Sequence, residues 1–82
     1  MLIALAGDST VTDHEGWGRG FRRRLATGVG CTNHARGGRS SKSYRAEGHW
    51  QPVLDTGADL VLIQFGHNDE PGKGPERETD PD

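Results

Sequence analysis

Residues 59 to 66 read Asp59-Leu60-Val61-Leu62-Ile63-Gln64-Phe65-Gly66, and the apolar run inside them decides the class of fold. Leu60-Val61-Leu62-Ile63 has no polar alternate, so a strand formed there carries apolar side chains on both faces. Such strands belong to parallel sheets covered by helices on each side. A central parallel strand over Asp59 to Phe65, closed by Gly66, is therefore expected. The chain opens on the same pattern. Leu2-Ile3-Ala4-Leu5-Ala6 is a continuous apolar run closed by Gly7-Asp8-Ser9-Thr10, which reads as a first buried strand ending in a turn.

Between these two runs the pattern changes period. Trp17, Phe21, Arg24 and Leu25 fall at helical spacing within Gly16 to Leu25, with Gly28 and Gly30 beyond them as a stop. Cys31 to Ala35 is a weaker, polar strand that runs into Arg36-Gly37-Gly38-Arg39-Ser40-Ser41, a glycine turn followed by hydroxyl residues suited to capping. A helix is expected from near Ser41, with Tyr44, Trp50, Val53 and Leu54 as its apolar contacts. Gly48 and Pro52 predict that it is broken into two pieces. Strand, helix, strand, helix, strand implies right-handed crossovers and a layered α/β fold.

Three strands and two helices leave apolar surface open. The last 13 residues, Glu70 to Asp82, hold no hydrophobic residue, three prolines and two glycines, and read as a polar loop. Residues 1–82 are therefore expected to be the front portion of one larger domain.

Composition narrows the function classes. The chain has 82 residues, 30% of them hydrophobic and 27% charged, which allows one small domain at most. A net charge of only −2 argues against disorder throughout. Residues 1–54 carry eight Lys or Arg against four Asp or Glu, and residues 55–82 carry two against eight. The only basic run, Arg22-Arg23-Arg24, is too short and too poor in neighbouring aromatics for a nucleic-acid partner. No stretch approaches the roughly 20 apolar residues of a membrane span. The opening run is also too short for a signal-peptide core with its flanks, so the compartment stays open. Cys31, the single cysteine, excludes an internal disulfide and a cysteine-built zinc site. His14, His34, His49 and His67 lack paired metal spacing, and GxxxxGK[ST], GxGxxG and GxSxG are all absent. No metal or cofactor is expected.

Each proposed strand ends in a polar turn containing glycine: Gly7-Asp8-Ser9, Gly37-Gly38-Arg39 and Gly66-His67-Asn68-Asp69. In an open parallel sheet, ligands bind at that edge. Ser9, just past a strand and at the entrance to a helix, is placed as a nucleophile whose N–H faces the positive end of the helix dipole. It equally suits N-capping, as do Asp8 and Thr10. Gly38 suits an oxyanion donor through its backbone N–H, because a residue without Cβ permits close approach; it also suits an ordinary turn. Asn68 suits a side-chain donor to the same oxyanion, or a local Asx-turn. His67 is expected to hold its turn by hydrogen bonding.

These residues, taken in order, resemble the first three sequence blocks of the SGNH, or GDSL-type, hydrolases. More narrowly, Gly7-Asp8-Ser9-Thr10-Val11, Gly38-Arg39-Ser40-Ser41-Lys42-Ser43-Tyr44 and Leu62-Ile63-Gln64-Phe65-Gly66-His67-Asn68-Asp69 resemble the rhamnogalacturonan acetylesterase branch. The resemblance spans nearly the whole chain. It implies a flavodoxin-like three-layer α/β/α sandwich with a five-stranded parallel sheet, of which the first three strands are present. It further implies a serine esterase that removes acetyl groups from a pectin-like polysaccharide through an acetyl-serine intermediate, in a family often exported. Ser9 would be the nucleophile, with the oxyanion held by the N–H groups of Ser9 and Gly38 and by the Asn68 side chain.

The family's fourth signature, an Asp and a His three residues apart that orient and supply the base, has no counterpart in residues 1–82. Loss of a triad member costs several orders of magnitude, so the chain alone is expected to be inactive. Two further readings stay open: an inactive piece that at most binds carbohydrate or a partner, and a phosphate-binding α/β domain built on Gly37-Gly38-Arg39-Ser40. Oligomeric state is not readable, although an uncovered sheet face favours association.

Overall fold

Apolar runs at both ends of the first 65 residues meet in one sheet. In the computed structural model, which describes residues 1–79, β1 (Leu2–Gly7) pairs in parallel with β2 (Gly30–Asn33) and with β3 (Leu60–Gln64), giving the order β2-β1-β3. The register aligns Leu2 with Gly30 and Leu5 with Asn33 on one side, and Ile3 with Leu60 and Gly7 with Gln64 on the other. β1 leads to β2 through α1 (Gly18–Arg23). β2 leads to β3 through α2 (Ser41–Ala46) and α3 (Trp50–Asp55). The first crossover steps from β1 to β2 and the second returns from β2 past β1 to β3, and crossovers of one hand that run in opposite directions along a sheet put their helices on opposite faces. The molecule therefore has three layers, and its strand order is that of part of a flavodoxin-like α/β fold.

The alternation of β1 divides the core. Ile3 and Leu5 point to the α1 side, where they meet Val11 and pack against Trp17, Phe21, Leu25 and Leu62. Ala4 and Ala6 point to the other side. There the small side chains leave room for the Tyr44 ring, which packs with Val53, Trp50, Val61 and Phe65. Tyr44 stands edge-on to Phe65, with centroids 5.1 Å apart. Its hydroxyl donates to the His34 carbonyl at 2.7 Å, so α2 is bolted to the end of β2 by a polar contact as well as an apolar one.

Several boundaries differ from the sequence expectation for local reasons. α1 is shorter than Gly16 to Leu25, because Arg24 N–H and Leu25 N–H bond back only three residues, to Phe21 and Arg22, as the helix tightens to its end. β2 begins and ends earlier than Cys31 to Ala35. Its path along β1 is extended by His34 N–H to Leu5 O at 2.8 Å. The second helix is broken, as expected, at Glu47-Gly48-His49, with Gly48 at φ +85°. β3 is a parallel strand but not the central one. Among the described residues that place belongs to β1, and β3 has a neighbour on one side only, with Leu60 45% and Ile63 56% exposed. Among the described residues, no helix is long and apolar enough to cross a membrane. Of the expected polar loop over residues 70–82, the part at 80–82 lies outside the described residues.

Candidate active site

The carboxyl ends of β1, β2 and β3 are laced together by contacts that begin where the strands stop. Gly7 closes β1 and is required by close approach. A Cβ there would come 2.4 Å from Val11 Cγ2 and 2.5 Å from the Gln64 carbonyl, well inside contact distance. Asp8 N–H then donates to that Gln64 carbonyl at 3.4 Å, and Arg36 N–H donates to Gly7 O at 2.9 Å. The turns after β1, β2 and β3 thus share one edge.

Asp8 makes the turn after β1. Its buried Oδ1 accepts from Thr10 N–H at 2.9 Å and from the Thr10 hydroxyl at 2.5 Å, an Asx-turn that sends the chain out of the sheet. Asn33 holds the rest of this loop by donating to Val11 O and Asp13 Oδ1, both at 2.9 Å. Ser9 is half-buried on this turn. Its carbonyl accepts from the Thr12 hydroxyl at 2.9 Å. The expected helix entrance is absent, because α1 starts only at Gly18. Local capping chemistry therefore falls to Asp8, and α1 does not begin at Ser9.

The second turn comes up against the first. A methyl group placed on Gly37 would stand 3.8 Å from Ser9 Cβ. Gly38 has φ +76°, and a Cβ on it would meet nothing within 4 Å. Glycine at 38 is thus favoured by its left-handed backbone conformation, and no neighbouring protein atom crowds it. Ser40 caps α2: its side chain accepts from Ser43 N–H at 3.1 Å, while Ser43 Oγ accepts from Ser40 N–H at 2.9 Å, a reciprocal box.

The third turn joins the second. Asn68, buried on the single 3-10 turn His67–Asp69, donates from Nδ2 to Arg39 O at 3.1 Å. This is a contact across 29 residues and not the local Asx-turn that its position also suits. Asp69 accepts from Ser41 N–H at 2.7 Å and from the Ser41 hydroxyl at 2.5 Å, so a carboxylate sits at the start of α2. Neither the Asp69 contact nor the anchoring by Asn33 has a signature in residue spacing, since both depend on which turns the sheet brings together.

Three histidines are engaged away from Ser9: His34 with Thr32 Oγ1 at 3.0 Å, His49 with Glu47 Oε1 at 2.8 Å, and His67 with Glu70 Oε1 at 3.4 Å. The last contact fits the expectation that His67 steadies its own turn. His14 is exposed in the loop after β1. Burial pushes the Cys31 thiol up, with Arg22 opposing and Asp13 adding to it, and burial likewise raises the Tyr44 hydroxyl against the opposing charge of Arg36. Neither is poised to ionise at neutral pH.

Three relatives match most of this chain. A rhamnogalacturonan acetylesterase of Bacillus subtilis (strain 168) is 46% identical over 83 residues, covering 90% of this chain and 36% of that protein. A probable rhamnogalacturonan acetylesterase of the same organism is 42% identical over 96% of this chain and 40% of its own length. A rhamnogalacturonan acetylesterase of Emericella nidulans is 43% identical over 84% of this chain and 29% of its own. The chain belongs to the rhamnogalacturonan acetylesterase-like SGNH family. It spans between 29% and 40% of the length of these relatives. No protein-family model matches it.

Proposed function

We propose that this chain carries the nucleophile and the oxyanion donors of an esterase that removes acetyl groups from a rhamnogalacturonan-like polysaccharide. In this reading Ser9 Oγ attacks the acetyl carbonyl carbon and its proton passes to a base. The carbonyl oxygen becomes an oxyanion held by Ser9 N–H, Gly38 N–H and Asn68 Nδ2. Collapse expels the sugar hydroxyl and leaves an acetyl-serine, which water hydrolyses to acetate. The observation that carries the reading is the Asn68 side chain. It is buried, faces the Gly38-Arg39 turn and keeps a second Nδ2 proton beyond the one given to Arg39 O.

The base belongs to the proposal as well. An Asp-x-x-His pair is absent from residues 1–82, so the chain is read as the amino-terminal part of the domain, with the pair outside it. An anion held at the start of α2, the other use of the Gly37-Gly38-Arg39-Ser40 turn, has less support. The Ser41 and Ser43 N–H groups there already donate to Asp69 and Ser40.

Hydrolysis of p-nitrophenyl acetate beside a Ser9→Ala control tests the reading, with circular dichroism on the same samples. Any turnover is expected to require Ser9 and to fall by about 10² to 10³ in Asn68→Ala. Turnover that survives Ser9→Ala would overturn the assignment of the nucleophile. A folded chain with no turnover above the control agrees with a base supplied from outside these residues.

A further inference from the structure

Residues 70–79 hold no hydrophobic side chain, yet they fold back onto the candidate site. Thr79 N–H donates to Asp69 O at 2.9 Å, closing a loop that turns where Arg77 N–H and Glu78 N–H bond Gly74 O at 3.0 and 2.8 Å. Lys42 Nζ holds the outside of this loop through Pro75 O at 2.6 Å. Arg77 is the loop residue that turns inward. Its Nε donates to Lys73 O at 3.1 Å, which fixes the plane of the guanidinium. Its Nη1 stands 3.4 Å from both Gly38 O and Asn68 Oδ1.

We propose that Arg77 is a positioning residue for the Gly38–Asn68 pair, an inference that rests on reading those two as oxyanion donors. The two ends of an asparagine amide have nearly the same shape and opposite polarity, and only the nitrogen end stabilises an oxyanion. A guanidinium carries five donors and no acceptor. With Arg77 at one end of the Asn68 amide, the flipped orientation would set NH₂ against N–H. The Arg39 carbonyl makes the same choice at the other end by accepting from Nδ2. Both ends of the amide are thereby specified, and the cation polarises its C=O toward Arg77, making Nδ2–H a stronger donor. The second contact acts on Gly38, whose lack of a side chain leaves its peptide free to rotate. Holding its carbonyl fixes the Gly38–Arg39 peptide, the one next to the Arg39 carbonyl that Asn68 bonds, and so limits rotation about the Gly38 Cα–C bond.

The test compares ¹⁵N-labelled wild type with Arg77→Gln. Solvent exchange of the Asn68 Nδ2 protons is expected to speed up by about ten-fold in the variant, the equivalent of one charge-assisted hydrogen bond. The backbone amides of Ile3 to Ala6 should keep their wild-type rates. Unchanged Nδ2 exchange would overturn the proposal. So would an acceleration shared with Ile3 to Ala6, which would make Arg77 a general structural tie. The same pair is assayed with p-nitrophenyl acetate. A Ser9-dependent kcat that falls with KM unmoved supports positioning of a donor used in the transition state, and a change confined to KM contradicts it. If Ser9-dependent turnover is absent from wild type, as a base lying outside residues 1–82 requires, the exchange experiment alone decides the role of Arg77.

Discussion

β1 and β3 are written in nearly the same alphabet, Leu-Ile-Ala-Leu-Ala against Leu-Val-Leu-Ile, and they end up in opposite surroundings. Ala4, Leu5 and Ala6 in β1 are wholly buried, whereas Leu60 and Ile63 in β3 are about half exposed. The difference lies in neighbours. β1 has a strand on each side and helices on both faces, while β3 has β1 on one side only among the described residues. An apolar run therefore announces that a strand is meant to be covered. How many partners cover it is settled by strand order, which the run does not encode.

The sharpest way to break this comparison is to truncate one residue in each strand. Leu5→Ala removes a side chain with no exposed surface and is expected to cost about 2 to 5 kcal/mol, enough to unfold so small a domain. Ile63→Ala, at 56% exposed, should cost under about 1 kcal/mol. Urea denaturation followed by circular dichroism reads both. Equal losses would mean that the β3 face is covered in solution by something that pairs with it.

The same contrast separates what could be read from residues alone and what could not. The positions of the strands, the break at Gly48 and the start of α2 at Ser41 are local facts, carried by apolar periodicity, a positive-φ glycine and a hydroxyl cap. That three glycine-bearing turns share an edge follows from parallel topology, and it too was legible. The central place of β1 was not. Nor were the reasons behind two site residues. Gly38 also answers to its own φ of +76°, and Ser9 looks like a helix-entrance serine but sits on an Asx-turn made by Asp8. Asp69 and Arg77 act across 28 and 39 residues on the Gly38–Ser41 segment. Polar contacts at such separations have no period, so nothing in the run of residues 70–79 foretells that they return to the site.

A smaller effect sharpens the division at Tyr44, the side chain that serves both strands. Its ring lies over Ala4 and Ala6 and against Phe65, but its hydroxyl bonds the His34 carbonyl, on the β2 side. Tyr44→Phe keeps the ring and deletes only that bond. It is expected to cost about 1 kcal/mol, the net worth of one part-buried hydrogen bond. Amide exchange should accelerate at the β2 end more than along β3. Uniform acceleration would show that the hydroxyl supports the packed ring itself and has no preference between the strands.

The smallest expected effect concerns the far end of α2, the helix that carries Tyr44 over β1. The Arg39 guanidinium, hydrogen-bonded to Glu47 Oε1 at 2.8 Å, holds the Glu47 carboxyl below the usual carboxylate range, with His49 adding at 2.8 Å. A carboxyl depressed in the folded state stabilises fully above its unfolded pKa. That contribution is lost as pH falls through the lower, folded value. The group is exposed, so salt screens the contribution and keeps it small. Thermal melts of wild type and Glu47→Gln from neutral pH into the acid range should therefore converge as Glu47 protonates, with wild type the more stable only on the neutral side. Curves that stay parallel down to acid pH would show that the Arg39–Glu47–His49 cluster adds nothing to the hold of α2 on β1. The hold of α2 on β1 would then rest on Tyr44, the Ser40 cap and Asp69, beside the cover that Val53 and Trp50 of α3 give the same face.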